Sequence, residues 1–133
     1  MIQRVQSLFL FFAAKSSLVI LFYAPVFINE SNTEEFLLLK DVQFPTLVLS
    51  LSILLSIYSI FLYKNRLLQL KIVSFAKLAV SLSFLLLVLL PVKEGFVMYY
   101  GQFFLLVPFL VLFLSSYFIK KDEKLVRSAD RIR

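Results

Sequence analysis

Polar residues interrupt this chain at only a few places, and the intervals between them carry the signal. From Val42 to Tyr63 there are 22 residues without a charge, and from Gly95 to Ile119 there are 25. A helix needs about 20 apolar residues to cross the hydrocarbon core of a bilayer. Two further intervals of similar length are each broken by one lysine. Residues 5–29 contain only Lys15, and residues 72–92 only Lys77. Backbone groups in lipid must find their partners within the segment, so these intervals read as helices. The pattern predicts spans at about 4–26, 44–64, 68–91 and 97–120, an outer loop at 27–43 and a tail at 121–133, with boundaries good to a few residues. Pro25 and Pro91 stand at the ends of the first and third spans, and Pro45 at the start of the second, where a missing N–H does no harm. Pro108 falls inside the predicted fourth span and cannot bond the Phe104 carbonyl, so a kink is expected there. The expected fold class is therefore all-α: an integral membrane four-helix bundle formed by one domain over 1–133.

Composition narrows the class. Of 133 residues, 61% are hydrophobic and 17% charged, whereas soluble domains average about 45–50% apolar and about 25% charged. Intrinsic disorder has the opposite signature of low hydrophobicity. With no cysteine and no histidine, disulfide frameworks, thiol catalysis and the commonest metal ligand and general base drop out. No cofactor, metal or catalytic set is expected, and the chain reads as a non-enzyme.

The net charge of +6 is a matter of topology. Arg4, Lys64, Arg66, Lys71, Lys120, Lys121, Lys124, Arg127, Arg131 and Arg133 all fall on one side of the predicted spans. The other side has Lys40 and Lys93 beside Glu30, Glu34, Glu35, Asp41 and Glu94. The positive-inside rule puts both termini in the cytoplasm. Tyr23, Tyr99 and Tyr100 then mark the outer interface, and Tyr63 and Tyr117 the inner one. Nucleic acid is not an expected partner. Lys15 splits the first apolar run and no small-x-small site follows, so cleavage as a signal peptide is not expected.

The outer loop holds the polar stretch Asn29–Glu35 and then the apolar run Phe36-Leu37-Leu38-Leu39. That run reads as a segment dipping into the headgroups, with partner docking as the sharper alternative. Asn29-Glu30-Ser31 matches a glycosylation sequon, relevant only in a secretory setting. In the tail, Leu125, Ala129 and Ile132 share a face at helical spacing, and Glu123 and Arg127 form an i, i+4 pair. The tail reads either as an amphipathic extension held near anionic lipid or as a docking helix for a partner.

The embedded lysines are the candidate anion- or lipid-binding residues, because charge in a membrane is costly. Lys77 lies six residues beyond Lys71, about 9 Å along a helix, and leans toward the cytoplasmic end, so it is expected to snorkel. Lys15 lies deeper, about 12–16 Å from the inner surface, and is followed by Ser16 and Ser17. It is expected to face protein or a wet crevice. All eight acids lie in loops or the tail, so its partners must be hydroxyls, carbonyls, water or a lipid phosphate. Ser74, Lys77 and Ser81 share a face and form a weak Ser–Lys nucleophile constellation, unsupported by any acid or oxyanion motif. Ser52, Ser56 and Ser59 form a small-residue stripe suited to close helix packing, against the Ala13–Ser17 region or the Ser74/Lys77/Ser81 face.

Three stretches carry a resemblance. They are the opening Met1-Ile2-Gln3-Arg4-Val5-Gln6-Ser7, the inner link Phe61-Leu62-Tyr63-Lys64-Asn65-Arg66-Leu67-Leu68-Gln69-Leu70, and the end from Lys121 to Arg133. Together they resemble a domain-of-unknown-function family of small four-span inner-membrane proteins from Bacteroidota, over essentially the whole chain. The resemblance implies a multi-pass protein of the bacterial inner membrane and no particular activity. The functional expectation is an accessory or assembly subunit of a larger inner-membrane complex. Its partners would be membrane lipids, above all anionic headgroups on the cytoplasmic side, and other membrane-protein subunits or further copies of itself. The alternative is a small oligomeric pore or carrier for an anion or lipid headgroup using Lys15 and Lys77.

Overall fold

A computed structural model describes residues 2–90 and 93–132, with side chains for 5–90 and 93–131. Pro91 and Arg133 lie outside the described residues, as do the side chains of Arg4 and Ile132. The four apolar intervals form the four long helices α1 (Ile2–Tyr23), α2 (Gln43–Phe61), α3 (Arg66–Leu89) and α4 (Leu106–Ile132). Each provides a stretch long and apolar enough to cross a membrane.

The fold is mostly helical rather than all-α. Three short strands, β1 (Pro25–Asn29), β2 (Phe36–Leu38) and β3 (Phe96–Met98), form an antiparallel sheet in the order β2-β1-β3 at one end of the bundle. Helix α1 stops at Tyr23, short of the expected residue 26. Pro25 has no N–H to continue the ladder and disfavours a helical Ala24. The chain turns directly into β1, with Phe27 opposite Leu37 on one side and Met98 on the other. The apolar run 36–39 is built into the fold. Its first three residues pair with β1, and Leu39 is fully buried in the core.

The fourth span begins differently from expectation. A short 3-10 segment, Tyr100–Leu105, precedes α4. Pro108 therefore falls in the first turn of α4, where an N–H has no intrahelical partner to lose, and the expected mid-helix kink has no cause. The helix then runs unbroken through the tail to Ile132, as the helical spacing of residues 121–133 led one to expect.

Each helix packs against two others: α1 and α3 both touch α2 and α4, giving a four-sided ring. Leu10, Ala13, Leu49, Val73, Ala76, Val80, Leu112 and Ile119 fill its core. Ala13 and Ala76, fully buried, let the backbones approach. Between α2 and α3 the contact is laced by polar bonds. The Ser52 hydroxyl donates to the Ala76 carbonyl at 3.0 Å, the Gln69 amide to the Ser59 carbonyl at 2.9 Å, and the Ser83 hydroxyl to the Pro45 carbonyl at 3.0 Å. Gln6 on α1 donates to the Phe118 carbonyl of α4 at 3.3 Å. Only 33–39% of each span-length window is buried, so most of the bundle's outer surface is apolar side chain.

Candidate functional site

The serine stripe of α2 meets α3 on the face carrying Gln69, Val73, Ala76 and Ser83. Ser56 and Ser59 are buried with Ser52 and bond back to their own helix, to the Ser52 and Ser56 carbonyls. Ser74 and Ser81 do not join this contact. Each is one residue out of phase with the buried stripe of α3, a rotation of about 100°, and both are exposed. The Ser81 hydroxyl donates to the Leu78 carbonyl at 2.9 Å in its own helix.

Lys77 sits half-buried on α3. Its Nζ lies 5.6 Å from the centroid of the Phe113 ring on α4, a cation–π arrangement. Lys15 is in a different situation. Helix α1 turns Ala13, Ala14 and Ser17 inward, which leaves Lys15 exposed on the outer side with Phe12 and Val19. These residues form one wall of a groove of about 630 Å³. The opposite wall comes from Tyr100, Phe104 and Val107 at the start of the fourth span. Lys15 is the one charged group among the lining residues. It is not packed between helices, and no ion pair to it occurs among the described residues. The two lysines are not brought together: α1 and α3 stand diagonally across the ring, and each lysine faces its own surroundings.

The groove owes its shape to one close approach. Gly101 is buried against Pro25, and a β-carbon there would lie 1.9 Å from the Pro25 carbonyl oxygen. This clasp brings the start of the fourth span beside the end of α1, where the two walls of the groove face each other.

At the far end of the bundle α4 projects as an exposed helix. Residues 124–131 are all exposed, Leu125 and Val126 among them, and so are Ala129 and Arg127. Arg127 pairs with Glu123 at 2.9 Å. The root of this projection is tied down by an ion pair that sequence reasoning missed. Arg66, at the first turn of α3, contacts Asp122 at 2.8 Å, with side-chain exposures of 22% and 12%. The available signal was that both residues were assigned to the same side of the spans. The buried amides Gln6 and Gln69 were also missed. Their signal was a lone amide inside an apolar stretch, where it needs a partner.

Residues 2–132 match DUF4293, described as a domain of unknown function. The chain belongs to this family. No curated protein and no solved structure matches it. The DUF4293 match spans all four helices, the sheet and the projecting end of α4, so the groove and the ion pair both lie within the family's domain.

Proposed function

We propose that this DUF4293 chain is a multi-pass protein of the bacterial inner membrane with both termini in the cytoplasm. We further propose that it acts as a non-catalytic accessory or assembly subunit of a larger complex there. The observation that carries this reading is the continuous α4. Its last turns leave the bundle as a basic helix, exposed on all sides and rooted by Arg66–Asp122. A continuous, unpartnered helix with exposed Leu125 and Val126 suits docking onto a partner's cytoplasmic surface, and its lysines and arginines suit an anionic membrane face. The residue inventory supports a binding role: the chain has no histidine or cysteine, and its acids lie outside the apolar stretches.

The test is mass spectrometry of the protein purified at native level in a mild detergent or nanodisc. Unrelated subunits in stoichiometric amount are expected, and Leu125→Glu with Ala129→Glu is expected to release them. A protein found alone or self-associated overturns the reading. Weight then moves to the oligomeric carrier for an anion or lipid headgroup, which the groove beside Lys15 favours. In that case several copies would be needed to bring Lys15 and Lys77 onto one path.

A further inference from the structure

We infer that the groove beside Lys15 receives a membrane-crossing helix of another protein, one carrying an aspartate or glutamate at the depth of Lys15. This rests on the reading above that the four helices cross a membrane and that the chain works within a larger assembly.

Depth is the first argument. Lys15 stands eight residues before the end of α1 at Tyr23, about 12 Å along the helix. It stands 11 residues after Arg4, about 16 Å along the helix. Its side chain leans toward the N-terminal end, away from the nearer interface. Neither headgroup layer is close, so a lipid phosphate resting in its own layer does not reach it. A cation facing lipid tails at mid-depth is costly, and embedded charges pair with a partner wherever one is available.

The second argument is what this chain cannot supply. Its acids are Glu30, Glu34, Glu35, Asp41, Glu94, Asp122, Glu123 and Asp130. The first five lie between α1 and α2 or between α3 and α4, and the others at the projecting end of α4. A second copy docked in the groove would therefore bring no carboxylate to Lys15. The third argument is the contrast with Lys77, which is half-buried against the Phe113 ring. Lys15 has no such cover, and Ser16 beside it already donates its hydroxyl to the Ala13 carbonyl at 3.0 Å. Apart from Lys15 and Ser16 the walls are mainly apolar, aromatic at Phe12, Tyr23, Tyr100 and Phe104. Such a surface accepts the side chains of an apolar helix, while Lys15 selects one that carries an acid.

The experiment places a photo-crosslinking amino acid at Val19, one turn from Lys15 on the same wall, in the full chain in its native membrane. Products are identified by mass spectrometry. The expected adduct is an apolar helix with an aspartate or glutamate inside its apolar stretch. Its yield should fall about tenfold or more in Lys15→Leu and hold in Lys15→Arg and Lys77→Leu. Lys15 is exposed, so the leucine variant keeps the bundle's internal contacts. Adducts with lipid only, with a second copy, or with a helix lacking an acid overturn the inference. So does a yield indifferent to Lys15→Leu, or no protein adduct at all. If subunits co-purify but Val19 never reaches them, the groove assignment fails and the accessory reading stands. If nothing co-purifies, both fail.

Discussion

Gly101 is where a single methyl group decides the geometry. Its missing side chain lets the chain pass against the Pro25 backbone, and backbone cannot swing aside as a flexible side chain can. Gly101→Ala is expected to force the start of the fourth span away from β1, at a cost of about 1–3 kcal/mol. Thermal unfolding in detergent should show a lower midpoint, and an unchanged midpoint would mean that the clasp is loose. Residue type alone did not mark this glycine in the sequence, because its demand comes from a neighbour 76 positions away. Lys15 and Lys77 were visible as charges in apolar runs, but their different fates were not. One has an aromatic ring from the next helix over it, and the other opens onto a groove. Serines were ambiguous for the same reason. Ser52, Ser56 and Ser59 fall on a buried face and Ser74 and Ser81 on an exposed one, and only the phase of each helix against its neighbour separates them.

The long helices were legible as elements because absence of charge over 20 or so residues is a strong, cumulative signal. The strands were not. Three residues each in β2 and β3 are too few to show alternation, and β1 formed where the first span was expected to end. The fourth helix departs from expectation at its beginning, which a 3-10 segment takes up, while at its other end it continues through the tail, where the sequence already shows helical spacing. What steadies that continuation is Arg66–Asp122. A pair this shielded is worth more than an exposed one and less than a fully buried one, so Asp122→Ala is expected to cost about 2 kcal/mol. The expected signature is local. Amide exchange should accelerate over residues 120–131 while α2 and α3 keep their protection. Equal acceleration throughout the bundle would show that the pair supports the whole fold instead.

At the scale of the molecule, a ring of four helices is closed at one end by the sheet and extended at the other by α4. The proposed orientation puts the sheet outside and the projecting helix inside. The native chain lacks cysteine, so single cysteines can report it without background. Glu34→Cys, exposed between β1 and β2, is expected to react with a membrane-impermeant maleimide added to intact spheroplasts. Ser128→Cys on the projecting helix should react only after permeabilisation. The reverse pattern would invert the orientation and move the basic helix away from the cytoplasm.

The central place of β1 has a consequence for biosynthesis. Its partner β2 follows within a few residues, but its other partner, β3, arrives only after α2 and α3 have been made. Until then a nascent chain holds a strand with one bare edge, the form of backbone most prone to pair with the wrong neighbour. A polypeptide stalled or truncated before Phe96 therefore keeps that edge open, on the outer side of the membrane in the proposed orientation. The completed one hides it, which gives a surveillance protease a structural difference to read between unfinished and finished copies.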